Sequence, residues 1–402
     1  MIESERFNPS PPAVLFVGYD AYRAGAQIEL LHVLRWLGDR RICKSTLLLK
    51  EGGDLLADYE RCLPTRVLHN RAKQRSVGVR ARDLVERRLG LTPESGLRRL
   101  VRGQRFDLIY ANSAAVFPFV PILAKLCGAP VVCHVHELEG SILKYCGLAA
   151  FREAVDSAAG IVAVSGAVEQ TLKSRYGIPV DKIQRIYEGI ATDDFRVVTA
   201  QERAAARARL KLPDHAFVVG GCGTMDWRKA PDVFLQIARK LAHDERRFEF
   251  VWVGGQLNGL QHFTLQHDAT RFGIDRLMHF VGPQAHTRDF FAAFDAFFLS
   301  SREDPFPLVC LEAAALGLPV LCFEESGGMP EFVEQDAGRV IPYLDVDLAA
   351  ACLRELASDS ELRARLGLRA AEKVRARFDI QNIAPQVAAV VNRYARKHGA
   401  PA

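Results

Sequence analysis

Short apolar runs alternate with longer stretches of helical spacing along most of the chain. Ala13–Gly18 (AVLFVG) is an unbroken apolar run closed by glycine, which predicts a buried first strand. A loop follows over Tyr19–Gln27, with Gly25 in it, and Ile28–Leu37 then repeats apolar residues at helical spacing. Ser45–Leu49, Phe106–Tyr110, Pro130–Val135, Gly160–Ser165 and Ile183–Tyr187 predict further strands, with a helix over Ser113–Leu126 and another reaching Tyr176. Gly189–Asp214 holds a polar loop and a charged helix, the expected hinge region. The pattern then restarts, with strands over Phe217–Cys222, Phe248–Val253, Met278–Val281, Ala296–Leu299 and Val320–Phe323. Two successive βαβ series predict an α/β protein of two doubly wound, Rossmann-like domains facing each other across a cleft. A chain of 402 residues fits two domains better than one core. The C-terminal pair of helical stretches, Ser360–Phe378 and Gln381–Lys397, has no strand partner and is expected on the outside.

Charge changes the picture in one place. The net charge is only +5. Residues 66–105, however, hold twelve Lys/Arg against three Asp/Glu, so the remainder of the chain is slightly acidic. Solvated helices and loops account for such a segment, and so does contact with an anionic surface, either membrane lipid or a phosphate-bearing acceptor. Nucleic acid is disfavoured, because the segment lacks aromatic side chains for base stacking. Nine cysteines are scattered without CxxC spacing, which predicts reduced thiols, a cytosolic protein and no metal site. The N-terminus is polar and acidic, unlike a signal peptide. Ala114–Val135 is apolar but is interrupted by Pro118, Pro121, Lys125, Gly128 and Pro130, whereas a transmembrane span needs about 20 apolar residues in succession.

Candidate chemistry gathers where strands end. Ser300–Phe332 reads as strand end, loop, helix and strand, and it carries Asp304 and Glu312. Open α/β sheets bind ligands at the carboxyl ends of their strands. Pro307, with no N–H, is expected as the first helical residue, leaving Leu308 and Val309 as free amides. Glu312, one turn inside, suits a pair of vicinal ribose hydroxyls. Asp304, in the loop with Phe306, could hold sugar hydroxyls or cap the helix. Gly223 to Lys229 joins a strand to a helix, and Arg228 and Lys229 stand at the helix start. Cations are unfavourable there unless an anion joins them, so a diphosphate is expected. His134 and His136 fall on one side of a strand at its carboxyl end, and His136 is the candidate for a functional role.

These residues together resemble the retaining family-4 glycosyltransferases. The spacing Asp304-x7-Glu312 followed by Ala313-Ala314-Ala315-Leu316-Gly317-Leu318-Pro319-Val320, then Gly327-Gly328-Met329-Pro330-Glu331, is similar to their acidic signature. Val135-His136-Glu137, Tyr187-Glu188-Gly189-Ile190 with Phe195, and Gly223 with Lys229 are similar to further motifs in the same order. The resemblance implies the GT-B fold, with an acceptor-side domain over 1–195, a nucleotide-sugar domain over 196–378, and a C-terminal helix over 379–402 that returns to the first domain. It implies transfer of a hexose from a UDP- or GDP-type sugar to a saccharide or lipid-linked acceptor, in surface polysaccharide or glycolipid assembly, with retained configuration and no cofactor or metal. Localisation would be cytoplasmic or peripheral at the inner face of the membrane. Glu312 would bind the ribose, Asp304 the donor sugar, Arg228 and Lys229 the diphosphate, and His136 a far hydroxyl of the sugar. Gly25 would let its loop approach the phosphates, and backbone near Gly282-Pro283-Gln284 would meet the base. Three departures stand out: Asp304 where the family usually has Glu, Pro307 where it has Gly, and Thr224 where many members have Arg. A sugar-nucleotide epimerase and a degenerate nucleotide- or partner-binding protein are the alternatives on the same fold.

Overall fold

The computed structural model describes residues 10–69 and 93–395. The chain divides into two compact units. One takes up the chain to Val164, Glu169–Ile186 and the segment from Ala384; the other holds Ser165–Val168 and Tyr187–Ile383.

The first unit is built on seven strands: β1 (Ala13–Gly18), β2 (Lys44–Glu51), β3 (Thr65–His69), β4 (Leu108–Asn112), β5 (Val131–Val135), β6 (Gly160–Ala163) and β7 (Ile183–Arg185). Their order is β3-β2-β1-β4-β5-β6-β7, with every neighbouring pair parallel. β1, β4, β5 and β6 are buried almost throughout, as parallel strands covered on both faces must be. The second unit has β8 (Phe217–Cys222), β9 (Phe248–Val253), β10 (Met278–Gly282), β11 (Ala296–Leu299), β12 (Val320–Phe323) and β13 (Gly338–Ile341), in the order β10-β9-β8-β11-β12-β13, again all parallel. Each sheet reverses its strand order once, between β1 and β4 and between β8 and β11. Such switch points open the crevice in which doubly wound sheets bind ligands.

Packing in the second unit follows the strand period. Phe248, Phe250 and Trp252 alternate onto one face of β9 and join the core, where Phe234 from helix Pro231–Leu241 meets Phe250 and Trp252 edge-on at 5.5 and 5.3 Å. Each such ring contributes about 1.5–3 kcal/mol by leaving water. Glu249 points to the other face, buried, and accepts from Arg247 and His279 at 2.7 Å each.

Several expected boundaries shift. The strand expected at Phe106–Tyr110 runs from Leu108 to Asn112 instead, because Asp107 is used to accept from Ala13 N at 2.8 Å ahead of the ladder. β3 and β13 went unpredicted; both are edge strands whose apolar pattern is broken by Arg66 and Arg339. Gly25 is not in the middle of a loop but is the first residue of helix Gly25–Asp39. Pro307 is the N-cap of helix Leu308–Ala315, with extended backbone (ψ 122°), rather than its first residue. Of the basic segment, residues 70–92 lie outside the described residues. Its described ends form β3 and helix Pro93–Val101, tied by an Arg66 guanidinium that donates to Leu100 O. Among the described residues no helix is long and apolar enough to cross a membrane.

Candidate active site

Two loops leave the second sheet side by side at its switch point. Gly223–Ala230 follows β8, and Ser300–Pro307 follows β11. Arg302 N donates to Arg228 O at 2.8 Å, Ser300 Oγ to Lys229 O at 3.1 Å, and the Arg228 guanidinium to Glu303 O at 3.3 Å. Asp226 shapes the first loop from within, accepting from Lys229 N at 3.0 Å and from Thr224 Oγ1 at 2.9 Å. Thr224 thus holds the loop's shape. Gly223 (φ 152°) lies under the Lys229 stem: a Cβ there would come within 2.9 Å of its Cγ and Cδ.

The side chains converge on Asp304, 5% exposed. Lys229 Nζ donates to its Oδ2 at 2.5 Å, Ser301 Oγ to the same oxygen at 3.0 Å, and Arg228 Nη1 to Oδ1 at 3.2 Å. Burial pushes the Asp304 carboxyl up, but the two cations and the Lys229 and Ser301 hydrogen bonds outweigh it, so the group sits below the ordinary aspartate value. The anion that the helix dipole calls for beside Arg228 and Lys229 is therefore supplied in part by the chain itself. Asp304 does not cap the following helix; its loop is pinned by Asp304 N donating to Ser326 O at 2.6 Å and by Gly327, where a Cβ would lie 1.7 Å from Asp304 O.

Glu312 sits one turn into helix Leu308–Ala315 and is buried. Burial pushes its carboxyl up, partly offset by Thr287, whose Oγ1 donates to Oε2 at 2.7 Å. Within that helix the first backbone donation is from Cys310 N to Pro307 O at 3.1 Å, so Leu308 and Val309 occupy the donor end of the helix. The Phe306 side chain is taken up in packing, with ring centroids 5.0 Å from Tyr187 and 5.4 Å from Phe378. Gly282 ends β10 in the left-handed region (φ 77°), and its carbonyl accepts from Gly254 N at 2.8 Å.

The first unit carries its own polar cluster at the carboxyl ends of β4 and β5. His136 Nε2 lies 3.0 Å from Asn112 Oδ1, and its Nδ1 lies 3.9 Å from Glu29 Oε2. Its neighbour His134 pairs with Tyr110 Oη at 3.0 Å, and burial holds its imidazole well below the ordinary histidine value, hence neutral. The two imidazoles lie 4.1 Å apart on the face that the alternation predicts. Glu137 is structural: it accepts from Ser113 Oγ, Ala114 N and His136 N. A narrow depression lined by Gly18, Asp20, Gln27, Asn112 and Ser113 sits near the start of helix Gly25–Asp39. A larger one, of about 500 Å³, is lined by Asp244, Arg246, Phe248, Arg354 and Ser358, at the opposite, amino-terminal edge of the second sheet from the two loops.

The structure brings Asp304 to Arg228 and Lys229. Sequence spacing grouped Gly223 with Arg228 and Lys229, and Asp304 with Glu312, without joining the two groups. It missed Ser301 and Thr287, whose hydroxyls carry no motif, and Asn112 and Glu29, which reach His136 from separate elements.

The chain matches Glycosyl transferases group 1 over residues 202–373 and Glycosyltransferase Family 4 over residues 25–194. It is 36% identical over 210 residues to a D-inositol 3-phosphate glycosyltransferase of Streptomyces scabiei, covering 50% of this chain and 46% of that one. The chain spans about half the length of the curated relatives it matches. Its fold is similar to HepE of Anabaena, solved in complex with UDP, with a TM-score of 0.79 and 22% identity over 95% of this chain and 100% of that one. It is also similar to WaaG, a glycosyltransferase involved in lipopolysaccharide biosynthesis, with a TM-score of 0.71 and 15% identity over 96% and 100% of the two chains. With both halves matched and two Rossmann-like sheets of GT-B type, the chain belongs to the group 1 glycosyltransferases of family 4.

Proposed function

We propose that this protein transfers a hexose from a nucleoside-diphosphate sugar, of the UDP type, to an acceptor hydroxyl with retained anomeric configuration. The observation that carries this is the pair of cations, Lys229 and Arg228, fixed at the β8/β11 switch point beside the donor end of helix Leu308–Ala315. In the transfer the bond from the anomeric carbon to the diphosphate oxygen breaks, and negative charge develops on the leaving group. Lys229, Arg228 and the Leu308 and Val309 amides suit that charge without a metal ion. A new bond forms from the anomeric carbon to the acceptor oxygen, and a donor phosphate oxygen takes the acceptor's proton on the same face. Glu312 accepts the ribose hydroxyls. Gly282 backbone meets the base. The second unit is the donor domain. The first is the acceptor domain, with His136 as a hydroxyl-binding residue.

HepE was solved with UDP and with UDP-glucose, which supports uracil as the base. The acceptor we propose is a saccharide or lipid-linked saccharide in surface polysaccharide or glycolipid assembly, supported by the likeness to WaaG, with residues 66–105 giving peripheral contact to anionic lipid. The name borne by the Streptomyces relative favours a second acceptor class, a phosphorylated polyol. A thermal-shift screen with UDP, GDP and ADP tests the donor half, since a ligand that binds the folded state raises stability by RT ln(1 + [L]/Kd). UDP is expected to give the largest shift; no shift with any of the three would contradict the assignment.

A further inference from the structure

Asp304 already occupies the two cations that a donor diphosphate needs. Its side chain is buried, and each of its oxygens is taken: Oδ2 by Lys229 at 2.5 Å and Ser301 at 3.0 Å, Oδ1 by Arg228 at 3.2 Å. The loop that delivers it is held by Ser326 and by the close pass of Gly327, so the carboxylate is built into this place. Among the described residues the carboxylate within ion-pair distance of Lys229 is that of Asp304.

Resting on the donor-site assignment above, we propose that Asp304 is an internal competitor of the diphosphate. The resting site is partly self-neutralised, one carboxylate against two cations, and a donor binds by exchanging this carboxylate for its own phosphate oxygens. A buried ion pair must be re-solvated or replaced when it is broken, so the exchange weakens the binding of any anion that cannot take over both cations at once. A diphosphate, with two adjacent anionic groups, replaces both contacts; a singly charged anion does not. Asp304 is on this account a specificity-determining residue. It screens the site against weak anions and sets the affinity for nucleoside diphosphates below what Lys229 and Arg228 alone would give. The alternative, a carboxylate that merely holds the two cations in position, makes the opposite prediction for its removal.

The test is isothermal titration of UDP, and separately of inorganic pyrophosphate, into the full chain as wild type, Asp304→Asn, Ser301→Ala and Lys229→Met. Asp304→Asn is expected to bind both probes at least about tenfold more tightly than wild type, the scale of one lost charge contact. Ser301→Ala, which loosens the carboxylate without removing its charge, is expected to shift the same way by a smaller factor, and it decides the matter if Asp304→Asn does not fold. Affinity equal to or weaker than wild type in the folded variants overturns the proposal. Absence of binding to wild type, or wild-type binding by Lys229→Met, instead overturns the donor-site assignment, and the proposal with it.

Discussion

Thr287 Oγ1 donates to Glu312 Oε2 at 2.7 Å, so a buried carboxylate on one helix is oriented by the residue just before another. Only part of the cost of burying Glu312 is recovered by this bond, since its carboxyl is raised above the ordinary glutamate value. A raised carboxyl destabilises the fold at a pH above its folded value, and the penalty fades as pH falls and both states take up the proton. Glu312→Gln is therefore expected to raise the melting temperature at pH 7 and to lose that advantage in acid. The same variant is expected to bind UDP roughly tenfold to a hundredfold more weakly, the scale of a charged hydrogen bond to ribose. Calorimetric scans at pH 7 and pH 4, with UDP titrations, check both halves.

Gly327→Ala is expected to disturb the site without touching any of its side chains. At φ 141° and with a Cβ 1.7 Å from Asp304 O, the substitution forces the Asp304 loop outward. A cost of about 1–3 kcal/mol in stability is expected, together with tighter pyrophosphate binding, because the displaced Asp304 carboxylate competes less for Lys229 and Arg228. Unchanged melting and binding would show that the loop yields without consequence.

Arg207 gives a prediction that concerns stability alone. It is buried on helix Ala200–Leu210, pairs with Asp295 at 2.6 Å, and donates to the carbonyls of Asp214, Ala216 and Ala293. Arg207→Met leaves Asp295 short of a partner and three carbonyls without this donor. A loss of about 3–5 kcal/mol is expected in urea unfolding, read at the second unit. A loss below 1 kcal/mol would mean that Arg203, which also reaches Asp295, takes over.

The two-sheet architecture was legible because parallel strands buried on both faces leave continuous apolar runs, and β1, β8, β11 and β12 are such runs. β3 and β13 were not, because an edge strand need bury only part of its surface and here carries an arginine. The site was legible where chemistry depends on spacing along one segment, as from Asp304 to Glu312. It was not where partners come from distant segments: nothing in the sequence brings Thr287 to Glu312 or Asn112 to His136. Nor did the pattern show that Asp304 would fill the anion position beside Lys229, since that depends on how the loops after β8 and β11 lie against each other.

The most direct measurement is nucleoside-diphosphate release from a panel of UDP-, GDP- and ADP-sugars, with and without mixed saccharide and polyol-phosphate acceptors, for wild type and Lys229→Ala. Release of UDP that depends on acceptor, and that falls at least about a hundredfold in Lys229→Ala, is the predicted result, the low end for losing a charged contact to the leaving group. Binding without acceptor-dependent release, or an undiminished rate in Lys229→Ala, would contradict it.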